Sequence, residues 1–245
     1  MGDSKIKRYI FTSAYFIILV LIIAVIALIM LKYNIEGEKN IPFKISNILL
    51  VSSAEGYQQE RNKDYIWDTE IYQYNDIYLN IEKNKNYKET EIIKSIEIEN
   101  IKIDKAPTVG KIKVYRASGK EQNLFEYKEE YEITDKIEYI GDVKTDLSNL
   151  TIANQGGTII IKVVNKTGER YTSNEKEFEH SGKLLEKVGM SYNNIKFSIF
   201  FDLIINLESD ISFKTQIKLD LPTGDIIEGG ISNSQINNVI FKREQ

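Results

Sequence analysis

Between Ile10 and Leu31 the chain runs for 22 residues, "IFTSAYFIILVLIIAVIALIML", without a charge. A bilayer's hydrocarbon layer is about 30 Å thick and a helix rises about 1.5 Å per residue, so a helix of this length reaches about 33 Å and spans it. A cleavable signal has a shorter apolar region, about 7 to 15 residues, closed by a small-x-small site. No such site follows here, and Ala24 and Ala27 lie inside the run at the wrong spacing. A buried core helix normally shows one polar face. This run is broken only by Thr12, Ser13 and Tyr15, all at its start, where a tyrosine suits the membrane interface. The sequence therefore predicts a signal-anchor: a transmembrane helix over residues 10–31 that holds the chain in a lipid bilayer.

Lys5, Lys7 and Arg8 precede the run, and Lys32, Lys39 and Lys44 follow it. The two counts are nearly tied, but the short tail is denser in positive charge, and long C-terminal domains translocate largely regardless of theirs. The expected layout is a cytoplasmic tail over 1–9, the span over 10–31, a polar linker over 32–44 and an extracytoplasmic domain over 45–245. That describes a single-pass protein of the cell membrane, with its C-terminal domain in the cell envelope. The chain has no cysteine, so neither a disulfide framework nor a cysteine–zinc site is available. It is rich in Ile, Lys, Asn, Glu and Tyr and poor in Ala, Pro and Trp, a bias that accompanies AT-rich bacterial coding. The net charge is −4 and the tail carries +2 (three basic residues, one acid), which leaves −6 outside. An acidic domain of this kind is a poor binder of nucleic acid, whose recognition is driven by basic patches.

Past Pro42 the pattern changes to period two. From Tyr65 to Glu82 the odd positions include Trp67, Ile71, Ile77, Leu79 and Ile81, and the even ones include Asp68, Glu70, Asp76, Asn80 and Glu82. Such alternation belongs to extended chain with one buried face, here expected as two strands broken near "YND". In "IKSIEIENIKID" the phase slips by one residue around Glu99 and Asn100, as at a β-bulge. "KIKVYR", "KIEYIG" and "TIIIKVV" add further strands, and "QINNVIFKR" supplies a last one. The clearest unit is Ile195 to Leu221, two alternating runs around "ESD", which predicts an antiparallel hairpin. Only "SGKLLEKVGM" looks helical, with Ser181 as cap and Gly189 as stop. The expected fold is mainly β: an N-terminal transmembrane helix followed by one antiparallel β-sandwich with one short helix.

Chemistry is sparse. His180 is the only histidine; it adjoins Ser181, but no third group or nucleophile elbow accompanies the pair. One histidine and no cysteine exclude the usual zinc sets, and no motif calls for a cofactor. Asp142, Asp146 and Asn149 in "DVKTDLSN" lack the glycine and distal glutamate of a calcium loop and suit a polar turn. "LPTGD" resembles a wall-sorting signal with one residue missing and no apolar tail behind it, and is expected to be a turn. Asn154 and Gln155, before Gly156 and Gly157, form either a tight turn into a central strand or a close backbone approach to a ligand. Tyr72, Tyr74 and Tyr78 fall on the polar face of their strands. Rings presented to solvent can stack on sugars or anchor a protein interface, although tyrosine also simply pairs well across strands.

The segments "YNDIYLNIEKNKNYKETEII", "KIEYIG", "IANQGG" and "LDLPTGDI" together resemble a group of single-span bacterial membrane proteins of this length that has no assigned activity. That resemblance implies an anchor and an exported β-rich domain, and it brings no site residue with it. Two functions stay open. One is an anchored binding or scaffolding module, with an envelope protein or glycan as partner. The other is an enzyme that acts on envelope polymers through paired carboxylates, which would need a cleft with one raised pKa.

Overall fold

The computed structural model describes residues 15–30, 41–61, 67–120, 122–174, 183–237 and 239–243. Residues 15–30 form a helix, α1, exposed along its whole length. Its 16 residues rise about 24 Å. Among the described residues no helix is long and apolar enough to cross a membrane. The outer parts of the expected 10–31 span, and His180 and Ser181, lie outside the described residues.

Strands account for most of the rest. β1 (Phe43–Arg61) and β2 (Trp67–Lys83) pair along nearly their whole length, and β3 (Ile93–Lys105) and β4 (Lys111–Arg116) follow. β5 (Ile137–Asp142) and β6 (Thr151–Ala153) are short, β7 (Gly156–Ser173) is long, and β8 (Phe197–Leu207) and β9 (Ser212–Leu221) make a second hairpin. β10 (Ile231–Ile236) and β11 (Lys242–Arg243) end the described chain. They form a five-stranded sheet, β10-β1-β2-β7-β4, and a six-stranded sheet, β11-β9-β8-β3-β5-β6. Among the described residues only the short β5–β6 pair is parallel.

The two sheets share one core. Ile48 and Leu50, Ile77 and Leu79, and Ile159 and Ile161 from the first meet Ile96, Phe201, Leu203 and Leu219 from the second. All the odd positions of β8 are buried, as the alternation predicts. Above this core the inner face of the first sheet becomes polar. Ser52 Oγ donates to Asn75 Oδ1 at 2.8 Å, Asn75 Nδ2 to the Val163 carbonyl at 3.2 Å, and Asn165 Nδ2 to Gln73 Oε1 at 3.2 Å. Beyond that layer lies a smaller apolar cluster. There α2 (Leu184–Lys187) and α3 (Tyr192–Ile195) bring Leu184, Leu185 and Ile195 against Ala54, Ile71 and Ile226.

Several expectations change. β2 is not broken at "YND": Asn75 turns into the polar layer and Asp76 faces Lys162 at 3.1 Å, so the polar pair sits within a continuous strand. The single helix becomes two one-turn helices; Gly189, at φ 74°, follows the first as expected. The last strand is two short ones, β10 on β1 and β11 on β9. Ile41 and Phe43, assigned to the linker, are buried in the main core. The slip at Glu99–Asn100 is a register shift in the β3–β8 pairing, with Asn100 at φ 54°. Ser173, which the polar stretch around it marks as loop, ends β7 and is buried.

Candidate binding surface

Residues of β2 that point away from the main core share a face with their cross-strand partners. The register sets Leu49, Tyr78 and Ile160 in one row, Val51, Asp76 and Lys162 in the next, then Ser53, Tyr74 and Val164, then Glu55, Tyr72 and Lys166. The three tyrosines are therefore on the outer face, as the alternation predicts. The expected exposure fails for two of them: Tyr72 and Tyr74 are only 4% and 5% exposed.

The cover is the chain after β4. Phe125, Tyr127 and Tyr131 fold back over the sheet onto Tyr72, Tyr74 and Tyr115. Tyr72 stacks on Tyr57 at 4.6 Å and Tyr74 on Tyr127 at 5.5 Å between ring centroids, distances at which aromatic pairs add stability beyond their area. The roof is fastened along its edges. Ile133 N–H donates to the Val114 carbonyl at 2.8 Å, Lys113 pairs with Glu132, and the Arg116 guanidinium lies 4.8 Å from the Tyr131 ring centroid. Burial pushes the Tyr72 hydroxyl up to about 12 and drives Tyr74 and Tyr127 higher still. Burial also raises the Asp76 carboxyl, against the pull of Lys162. The Lys162 ammonium serves three groups: it lies 3.1 Å from Asp76 Oδ1, 4.8 Å from the Tyr74 ring centroid and 4.9 Å from that of Phe125. A roofed cluster of this kind holds structure and presents no platform to a sugar.

The unroofed remainder differs. Tyr78 stays half-buried between Leu49 and Ile160. Beside that row runs β10, the border strand of the five-stranded sheet, "ISNSQI". Border strands are usually blunted by charge, proline or a bulge. β10 has no charge and no proline, pairs with β1 without a register shift, and leaves Ile231 62% exposed. Of this strand the expected last run "QINNVIFKR" included only Gln235 and Ile236; its start, directly after the paired Gly229 and Gly230, was missed.

Asn154 and Gln155 are not brought to this surface. They make the turn by which the chain passes from β6 in one sheet to β7 in the other. The Asn154 carbonyl accepts from Ile93 N–H at 3.0 Å, and Gln155 Nε2 donates to the Glu91 carbonyl at 3.3 Å. An open groove of about 750 Å³ includes Asp142, Asp146 and Asn149 in its walls. Asp146 accepts from the Ser148 hydroxyl at 2.6 Å and from Asn149 Nδ2 at 2.8 Å, and bonds from those residues hold its carboxyl below the usual range. That is a turn-forming carboxylate and the opposite of a poised general acid. Among the described residues no group of three or more His, Asp or Glu is placed to hold a metal ion. The chain matches no family model, no curated protein and no solved structure.

Proposed function

We propose that this is a membrane-anchored, extracytoplasmic binding module of the bacterial cell envelope, held by residues 10–31 and offering the β10 edge to an extended segment of an envelope protein. The observation that carries it is that edge: uncharged, unbulged and flanked by exposed Ile231. An added strand gains main-chain hydrogen bonds from such an edge and side-chain specificity from alternate positions. The anchor is supported by α1, whose apolar residues, among them Leu19, Ile22 and Ile26, have no protein packed on them. An apolar helix without protein cover suits lipid. The enzyme reading is weaker: Asp76 is a largely buried carboxylate with a raised pKa, yet it is ion-paired beneath the aromatic roof and lines neither the groove beside Asp146 nor the cavity beside Asn84.

Two experiments test this. For the address, Ser4→Cys and Ser209→Cys each supply the chain's only thiol; Ser209 is exposed in the β8–β9 turn. A membrane-impermeant maleimide on intact cells is expected to label Ser209→Cys, and to reach Ser4→Cys only after the membrane is opened. The reverse pattern would put the β domain in the cytoplasm. For the edge, a photocrosslinker at Ile231 is expected to give one discrete adduct in intact cells. Asn233→Lys with Gln235→Lys should abolish that adduct with little change in melting temperature, since exposed substitutions usually alter stability by less than about 0.5 kcal/mol. An adduct that survives both lysines defeats the strand-addition reading.

A further inference from the structure

Antiparallel neighbours exchange main-chain hydrogen bonds at every second residue. Ala54 N–H donates to the Gly230 carbonyl at 3.0 Å, and from there the β1–β10 register runs without a shift. Ser232, Ser234 and Ile236 therefore use their main-chain groups on β1. Ile231, Asn233 and Gln235 turn theirs outward, where β10 is the border of the sheet. Outward groups spaced in this way have a centre, and it is Asn233.

A second copy, turned by a two-fold axis through Asn233 and perpendicular to the sheet, meets this edge residue for residue. Asn233 lies opposite the partner's Asn233, and Ile231 opposite the partner's Gln235. Every outward N–H and C=O of both strands then has a partner. The pairing also keeps each side chain on its own face, because the residues so matched are an even number of positions apart. Ile231, Asn233 and Gln235 stay outside, where Ile231, 62% exposed, gains the partner's Gln235 stem as cover. Ser232 meets the partner's Ser234 inside. That inner row adds no bulk at the joint, and Ser234 is already held by the Thr223 hydroxyl, which donates to it.

Charge favours the same arrangement. Exposed Asp225 and Glu228 precede β10, and exposed Glu55 lies beyond Ser53 at that end. Exposed Lys242 and Arg243 follow β10 at the other end, where Lys44 is already paired with Glu82 at 3.0 Å. Among the described residues Asp225, Glu228, Lys242 and Arg243 make no ion pair. Glu89 and Glu91 act, like Arg243, on Tyr87, but stand outside ion-pair distance of it. The two-fold axis sets the acidic end of one copy against the basic end of the other, whereas parallel strands would set like against like.

We propose that the segment received by β10 is the β10 of a second copy of this chain, joining two five-stranded sheets into one continuous sheet centred on Asn233. This rests on the reading of β10 as an open edge and names its partner. The contact is isologous and closes at two copies, so it leaves no uncharged β10 border free to recruit further strands.

The chain has no cysteine, so each substitution supplies its only thiol. Full-length protein in native membranes is treated with a mild oxidant and read for a band at twice the chain mass. Asn233→Cys is expected to become mostly dimer, since paired Cα atoms about 5.5 Å apart suit a disulfide. Ile231→Cys and Gln235→Cys are each expected to stay monomeric alone, because like positions lie about 13 Å apart along the strands, and to join when the two variants are co-expressed. Ser209→Cys, exposed in the β8–β9 turn, gives the background from random collision. Asp225→Lys with Glu228→Lys should lower the Asn233→Cys dimer several-fold, and adding Lys242→Glu with Arg243→Glu should restore it. Asn233→Cys no more dimeric than Ser209→Cys overturns the self-pairing. A photoadduct at Ile231 of some other mass would then leave the open edge standing with a different protein on it, and the absence of any adduct removes both.

Discussion

Phe201→Ala is expected to remove about 3–5 kcal/mol of stability, the usual loss for a buried phenylalanine whose neighbours cannot close the gap. Phe201 is fully buried between the sheets and pairs with Ile217 in the β8–β9 hairpin, where both strands are already hydrogen-bonded into a six-stranded sheet. For a domain of this size each kcal/mol shifts the midpoint by about 2–4 °C, so a drop of roughly 6–20 °C follows. Thermal melts of the full chain in detergent, followed by circular dichroism, measure it. The neighbouring Asp202 is the comparison. The alternation makes it a solvated position, yet it is only 8% exposed and accepts from Asn100 Nδ2 at 2.9 Å, with Lys214 Nζ at 3.0 Å. Burial alone would raise its carboxyl, but bonds from Asn100, Lys214 and Gln216 outweigh that and hold it below the usual range. A depressed folded pKa stabilises the protein above the unfolded value, near 3.8, and the contribution is lost as pH falls through the folded one. Asp202→Ala should thus cost about 1–3 kcal/mol at neutral pH, less than Phe201→Ala, with the gap to wild type closing below about pH 4. Equal losses at the two positions would refute the facing assigned to β8.

Lys162→Met is expected to show a deficit that also shrinks on acidification, but through a carboxyl shifted in the opposite direction. Lys162 and Asp76 are largely buried beneath the aromatic roof, and removing one partner of such a pair strands the other's charge, a loss of about 3–5 kcal/mol. Asp76 already has a raised carboxyl because burial outweighs the attraction of Lys162. Without Lys162 it rises further, so the folded variant prefers the protonated acid. A raised folded pKa destabilises once pH climbs from the unfolded value through the folded one. The deficit of Lys162→Met should therefore be largest at neutral pH and shrink on acidification towards pH 4, and Asp76→Asn in the same chain should restore much of it. A deficit that does not change with pH would mean the lysine acts only by packing on Tyr74 and Phe125.

What the sequence could show was set by periodicity. The β8–β9 hairpin was legible because its two faces differ at almost every position, and the bulge at Asn100 because a lost residue of phase is visible in the spelling. β1 was not anticipated: "SNILLVSSAEGYQQER" mixes Ser52 and Ala54 into its inner row, where hydrogen bonding to Asn75 takes the place of apolar contact. Tyr72 and Tyr74 were placed on the correct face and given the wrong surroundings. Period two reveals that a strand has two sides and is silent about what lies on each. The covering segment, with Phe125, Tyr127 and Tyr131, has no period of its own to announce it. The β10 edge was hidden for a related reason, since a short uncharged strand after two glycines reads as loop.

β1 is bordered on one side by β2, its successor, and on the other by β10, from the far end of the chain. Ile45 likewise bridges to Val239, and β11 borders β9. The first strand made is thus among the last to be completed. At a synthesis rate of about 5–20 residues per second, β1 waits many seconds for its second neighbour. Through that interval its border is open and the sandwich cannot close. A chain in this condition stays threadable while it is being delivered, and it also stays sticky, which makes it a client for holding chaperones. A premature stop just before Ile231 would leave β1 to β9 present, yet strip β1 of its second partner and β9 of the short β11, and hand quality control a protein that looks nearly whole.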